Sequence, residues 1–336
     1  MRIDEHASAQ DGSIRITNSG RSADIRVSIV PTLDGEKTVM RLLGEYLRGL
    51  SLAELGLTSK HEELLRTVAH RPFGMILVTG PTGSGKTTTL YALIKQLRTP
   101  SANLTTIEDP VEYRLTGVNQ IQVNPETNLT FAKGLRALVR QDPDAILVGE
   151  IRDQETADIA TNAALTGHLL FSTFHANDAS SAIPRLIEMG IQPFLLSSTL
   201  ELIVAQRLVR KLCQNCRVSK TVQIKTLPPE IAQAIQRKSE KTVTIYEAKG
   251  CDVCNASGYK GRTALFELLV ATQEIRDILP QRPSSDALSE IALKQGMQTL
   301  FDNGIEKVLA GITSYQEVLR VAQPPARKKK QGKHEQ

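Results

Sequence analysis

The sequence predicts an α/β protein built on a mainly parallel, helix-covered sheet, with a small cysteine-bearing module appended. Three observations carry that prediction. The apolar, β-branched run Met75-Ile-Leu-Val-Thr79 leads into Gly80-Pro-Thr-Gly-Ser-Gly-Lys-Thr87, and Thr88-Thr-Leu-Tyr-Ala-Leu-Ile-Lys95 follows with Leu90, Leu93 and Ile94 on one helical face. Strand, glycine-rich loop and helix in that order match the phosphate-binding pattern G-x-x-x-x-G-K-[ST]. Beyond it, strand-like and helix-like segments alternate, which is the signature of a parallel sheet with helices on its faces. Two Cys-x-x-Cys pairs then punctuate the second half of the chain.

Composition sets the bounds. The 336 residues can hold two or three domains, and 40% hydrophobic content is ordinary for a globular protein. No apolar run approaches the roughly 18–20 residues of a membrane span, and Met1-Arg-Ile-Asp-Glu-His lacks the pattern of a signal peptide. A cytoplasmic protein is expected, with cysteines that are not structural disulfides. The net charge of +5 is concentrated in the tail after Pro324, where Arg327, Lys328, Lys329, Lys330 and Lys333 face only Glu335. The rest of the chain is nearly neutral, so no specific nucleic-acid partner is expected.

In chain order, residues 12–30 alternate as strands do, with Ile14 and Ile16 facing Ile25, Val27 and Ile29 across a turn at Asn18-Ser-Gly20. Arg26 and Arg41, taken as residues, read as solvated strand charges. About 50 residues of hairpin and connector make a poor core, so this segment reads as part of a domain. Ser51-Leu-Ala-Glu54 is a capping box opening a short helix. Leu104–Ile107, Ala145–Val148 and His168–Thr173 read as strands, Phe131–Val139 and Glu155–Leu165 as helices. A helix is expected to run from Pro193 through Leu202 and Ile203 to Leu208. Residues 285–321 read as helical, with Gly311 as a stop and Ser314 as a cap. The expected divisions are 1–57, a partial N-terminal α/β subdomain and linker; 58–212, the phosphate-loop domain; 213–258, the cysteine module; 259–322, a helical subdomain; and 323–336, a basic disordered tail.

The chemistry-bearing residues cluster by type. Gly80, Pro81, Thr82, Gly83, Ser84, Gly85, Lys86, Thr87 and Thr88 form the loop, whose backbone N–H groups curl around a phosphate at the positive end of a helix. Lys86 reaches the outer phosphates, and the Thr87 hydroxyl suits Mg²⁺. Glu108, in Ile107-Glu-Asp-Pro-Val-Glu112, and Glu150, after Ile146-Leu-Val-Gly149, stand at predicted strand ends. Phosphoryl transfer to water needs a carboxylate near the metal and a group that orients or deprotonates water, and the two glutamates supply both. His168 and His175 flank one strand, fit either to sense the γ-phosphate or to bridge backbone groups. Cys213, Cys216, Cys251 and Cys254 give four thiolates, enough for a closed, structural tetrahedral Zn²⁺ site with no open position.

These residues carry a resemblance. The order Gly35-Glu-Lys37, the phosphate loop, Glu108-Asp-Pro-Val-Glu112, Arg140-Gln-Asp-Pro143, Gly149-Glu-Ile-Arg-Asp153, Ala164-Leu-Thr-Gly-His168 and Ser172-Thr-Phe-His175 resembles the type II/type IV secretion ATPase superfamily. Ala205-Gln-Arg-Leu-Val-Arg210, the tetracysteine segment and Gly258-Tyr-Lys-Gly-Arg262 resemble its PilB/GspE-like branch, since related retraction ATPases lack the cysteine insert. The resemblance implies a RecA-like core, a PAS-like N-terminal subdomain, and a hexamer that uses ATP and Mg²⁺. That hexamer would sit at the cytoplasmic face of the inner membrane and turn a platform protein to assemble a pilus or pseudopilus. It also implies Glu108 as catalytic base, Glu150 as the carboxylate near Mg²⁺, and Arg26 and Arg41 as arginines swung onto the γ-phosphate. Arg136 and Arg140 match arginines near the nucleotide, and His168 and His175 match a histidine box. Two departures stand out: the family has a longer N-terminal region, and Phe174-His175-Ala176 stands where Leu-His-Thr is more frequent. A DNA-handling ATPase or a non-motor remnant are the alternatives.

Overall fold

The computed structural model describes residues 2–18, 21–43, 51–236 and 241–324. The turn expected at Ser19-Gly20 and the basic tail lie outside those residues. Three antiparallel strands come first, β1 (Gln10–Asn18), β2 (Arg21–Thr32) and β3 (Gly35–Leu43). Ile14 lies across from Ile25 and Gly12 from Val27, so the predicted apolar alternation falls on one face. Arg26 lies directly across from Arg41. The third strand is a correction: its sequence reads as connector, because Lys37 to Leu43 mixes charge with apolar residues on both faces.

Two short helices follow, α1 (Leu52–Leu55), capped by the Ser51–Glu54 box, and α2 (Ser59–Ala69). Strand β4 (Gly74–Thr79) leads to the glycine loop and helix α3 (Lys86–Leu97). The α/β alternation then runs through β5 (Leu104–Glu108), β6 (Asn119–Gln122), α4 (Phe131–Leu138), β7 (Ala145–Val148), α5 (Gln154–Leu165), β8 (Leu169–Phe174), α6 (Ala179–Glu188) and α7 (Pro193–Thr199).

The helix expected to reach Leu208 ends at Thr199, and the chain becomes a 13-residue strand, β9 (Leu200–Leu212). Leu200 to Ala205 are buried on both faces. A continuous apolar run fits a central strand as well as a helix, and β-branched Ile203 and Val204 tip it toward strand. The cysteine region carries β10 (Val218–Gln223), α8 (Pro229–Gln236) and β11 (Thr242–Glu247).

The stretch from residue 259, expected to be helical, opens instead with β12 (Tyr259–Val270), paired antiparallel to β9. Helices α9 (Gln273–Ile278), α10 (Ser285–Lys294), α11 (Leu300–Leu309) and α12 (Tyr315–Val321) complete the described chain. The main sheet has seven strands in the order β12-β9-β4-β8-β7-β5-β6, all parallel except β12. The cysteine module is thus an insertion between the two strands of an edge hairpin.

Period-two alternation builds a core on each face of this sheet. Ile76 and Val78 of β4 join Leu90, Leu93 and Phe171 on the α3 face, while Met75 and Leu77 join Ala160, Ile183 and Leu186 on the other. Each large side chain buried here contributes roughly 1.5–3 kcal/mol. All the central strands point the same way, so their C-terminal ends form one rim, and the glycine loop leaves from it. No helix of the described residues is long and apolar enough to cross a membrane.

Candidate functional site: the phosphate-loop cleft and the cysteine cluster

A cleft of about 1070 Å³ opens on that rim, lined by Thr82 to Thr88, Glu108, Glu150, Arg152, His175, Arg41, Lys260 and Arg262 among others. The loop conformation requires its glycines. Gly83 and Gly85 have φ of 78° and 89°, and a side chain at Gly80 would place its Cβ 2.5 Å from the Gln206 carbonyl oxygen. A Cβ on Gly83 would meet nothing within 4 Å, so that side of the loop opens into the cleft. The Lys86 ammonium donates to the carbonyls of Gly80 (2.8 Å) and Pro81 (3.2 Å). Burial lowers its pKa, and the nearby Glu150 carboxylate opposes that shift.

The two glutamates occupy neighbouring strand ends in contrasting settings. β5 and β7 pair with Ile107 beside Val148, and a Cβ added at Gly149 would lie 3.2 Å from the Glu108 Cα. Glu108 is only 2% exposed. Its Oε1 accepts from Thr106 (2.6 Å) and Gln120 (3.3 Å), and its Oε2 accepts from the Tyr91 hydroxyl. Burial raises its pKa despite those donors. Glu150 turns its carboxylate to the cleft, bonded to Arg152 on one oxygen and 3.6 Å from His175 Nε2 on the other.

The histidines part company. His175 follows β8 at the rim, within reach of Glu150. His168 precedes β8 at the opposite edge, where its Nδ1 lies 3.1 Å from the Ala163 carbonyl and its own carbonyl accepts from Gly74 N–H. Six residues of extended chain at about 3.3 Å each separate the two edges. The expectation that His168 touches nucleotide is therefore corrected; it closes the C-terminus of α5.

Arg136 pairs with Glu155 at 2.8 Å, and neither it nor Arg140 lines the cleft. Arg26 reaches the core but binds Glu112 Oε2 (3.0 Å) and the Val111 carbonyl (3.0 Å), while Arg41 lines the cleft.

Sequence reasoning missed the support beneath the loop. Gln206, 1% exposed on β9, donates to the Ser84 carbonyl (2.8 Å) and accepts from Thr89 Oγ1 (2.7 Å). Its signals are a lone glutamine within an apolar run and its place in Ala205-Gln-Arg-Leu-Val-Arg210, neither of which names a role. Tyr91, inside the helix after the loop, stands next to the Leu90, Leu93 and Ile94 face and carries no sequence signal of its own. Lys260 and Arg262 reach the cleft from β12, a strand that no local pattern announces.

The four cysteines converge, with all four Sγ atoms within 4.8 Å of one another. The Cys213–Cys251, Cys216–Cys254 and Cys251–Cys254 separations are 3.9, 3.8 and 3.7 Å. These are not disulfides. A tetrahedron with Zn–S bonds of about 2.3 Å has edges of about 3.8 Å, so the cluster is compatible with a zinc ion. Burial alone would raise the Cys254 thiol, but the Cys251 and Gly258 N–H groups donating to its sulfur bring it down to about 6.

Fold and cleft together define a phosphate-loop α/β protein whose loop sits at the C-terminal rim of a parallel sheet beside two carboxylates. The chain belongs to the type II/IV secretion system protein family, which matches residues 1–320. It is 46% identical over 320 residues to the type IV pilus assembly ATPase PilB of Thermus thermophilus, covering 95% of this chain and 36% of that one. It is 44% identical over 321 residues to the type II secretion system ATPase E of Vibrio cholerae, covering 96% of this chain and 63% of that one. The chain thus spans less than two thirds of the length of these relatives. Among solved structures, the pilus retraction motor PilT with bound ADP matches at a TM-score of 0.67 and 28% identity, covering 95% of this chain and 79% of that one. The Legionella pneumophila ATPase DotB, at a TM-score of 0.66 and 22% identity, covers 94% of this chain and 77% of that one and shares the fold.

Proposed function

We propose that this chain hydrolyses ATP and uses the energy to assemble a type IV pilus or a type II secretion pseudopilus. It would work as a homo-oligomer, a hexamer, peripheral on the cytoplasmic face of the inner membrane and acting on a platform protein there. The observation that carries the reading is the cleft itself: Thr82 to Thr88 of the phosphate loop, Glu150 and Arg41 of the N-terminal sheet line one cavity. The names of the Thermus and Vibrio relatives support the choice of process.

The residues divide the work as follows. Lys86 exchanges the Gly80 and Pro81 carbonyls for phosphate oxygens, and the backbone of Gly80 to Thr88 cradles the phosphates. Thr87 and Glu150 offer the hard oxygen donors that suit Mg²⁺, whose role when bound is to neutralise charge on the phosphates. Glu108 is the general base: two of its donors occupy Oε1 and one occupies Oε2, which leaves one acceptor position for a water proton. His175 holds or senses a group beside Glu150.

Arg26 and Arg41 sit side by side on the N-terminal sheet, so moving that sheet moves both. ATP offers charge-assisted bonds to them that ADP lacks, and hydrolysis removes that differential affinity. The cysteines hold Zn²⁺ as a structural ion. The test pairs phosphate release with solution mass, with and without a nonhydrolysable ATP analogue. A six-copy mass with the analogue, and turnover per chain that rises with concentration, is expected. A monomer without turnover at every concentration overturns the reading.

A further inference from the structure

Tyr91 is fully buried, and its hydroxyl lies between Glu108, which lines the cleft, and the loop that follows β5. It takes part in three hydrogen bonds. The Glu112 amide donates to it at 3.3 Å and the Gln120 amide at 3.3 Å, while it contacts Glu108 Oε2. A phenolic oxygen has two lone pairs and one proton. With both lone pairs occupied by N–H donors, its proton has one place left to go, the Glu108 carboxylate. A carboxylate accepts such a bond more strongly in its charged form than when protonated. Thr106 Oγ1 and Gln120 Nε2 donate to the other oxygen and favour the same charged form.

We propose that Tyr91, with Thr106, is a positioning residue for Glu108, fixing its carboxylate as an oriented acceptor at the buried end of the cleft. The inference rests on the reading of Glu108 as the general base. The cage is itself braced: the Tyr113 ring meets Tyr91 edge-on with centroids 4.7 Å apart, and Gln120 Oε1 accepts from Leu115 N–H at 2.6 Å. The same Tyr91 oxygen touches the loop on which Arg26 rests, because Arg26 binds Val111 and Glu112 while the Glu112 amide binds Tyr91. Contact therefore runs unbroken from the N-terminal sheet to the base.

The groups facing Glu108 set the sign of the pH effect. Tyr91 comes from α3, neutral Thr106 and Gln120 from β5 and β6, Glu112 from the loop, and apolar Leu147 from β7 lines the same cleft. Lys95 lies 5.3 Å from the Tyr113 ring, one ring removed. Donors to a carboxylate favour its charged form, so deleting one raises its pKa. A base whose pKa rises is active only at higher pH.

The experiment measures kcat, KM and the pH–rate profile of Tyr91→Phe, Thr106→Val and Glu108→Gln, with a fluorescent ATP analogue reporting nucleotide affinity and a thermal melt reporting folding. Tyr91→Phe and Thr106→Val should lower kcat roughly 10- to 100-fold with KM and affinity unchanged, shift the acidic limb to higher pH, and recover part of the rate there. Wild-type kcat and an unmoved limb in both, with Glu108→Gln inactive, would overturn the positioning role alone. Wild-type turnover in Glu108→Gln would overturn the base assignment, and the inference with it.

Discussion

The phosphate-loop cleft and the cysteine cluster share strand β9 and differ in almost every other respect. Gln206 of β9 braces the loop, and Cys213 follows directly after the strand ends. The cluster draws on two short segments and is closed, its four sulfurs satisfying one another's geometry. The cleft draws on segments from Arg41 to Ala264 and is open, with cations and carboxylates facing a shared space. A closed site stores stability, whereas an open site with opposed charges is poised to bind and release. Changes at the first should be read out in folding, and changes at the second in turnover.

The largest expected effect tests that separation. Removing zinc with a chelator, or making Cys213→Ser, should lower the melting temperature on the order of 10 °C and expose residues 213–258 to protease. Affinity for a fluorescent ATP analogue should stay within about 3-fold, because β9 is held on both sides by β4 and β12. A parallel loss of affinity would show that the two regions behave as one.

A smaller effect concerns the clasp next to the cluster. Glu317 of α12 accepts from Arg210 N–H and Nη2 and from Arg320. Burial would raise its pKa, but the bonds from Arg210 and Arg320 outweigh burial and bring it to about 2. Its folded pKa lies below the ordinary 4.5, so its stabilisation is complete above that pH and is lost as pH falls toward 2. Both arginines are about half exposed, so solvent screening limits the contribution to about 1 kcal/mol. Glu317→Gln should lower the melting temperature by a few degrees at pH 7 and flatten its dependence on pH between 4.5 and 2. An unchanged acid slope would detach the clasp from Glu317.

The same contrast explains what the residues reveal without a fold. The phosphate loop and the cysteines are local patterns, so their chemistry is legible in the sequence alone. His168 and His175 are indistinguishable as sequence, because both flank one strand; only the direction of β8 separates rim from base. Gln206 and Thr89 lie 117 residues apart in the chain, beyond any local pattern. β9 reads as helix because an apolar run buried on both faces carries no period. β12 escapes notice because its first residues, Tyr259 to Arg262, carry no apolar alternation and open a stretch that reads as helical.

Whether the cleft is a hydrolysis site is decided by Mg²⁺-dependent release of phosphate from ATP by the wild-type chain and by Lys86→Ala. Turnover is expected in the wild type, with a loss of at least about 100-fold in the variant, whose melting temperature stays near that of the wild type. A Lys86→Ala chain that binds and hydrolyses ATP as the wild type does would contradict that assignment.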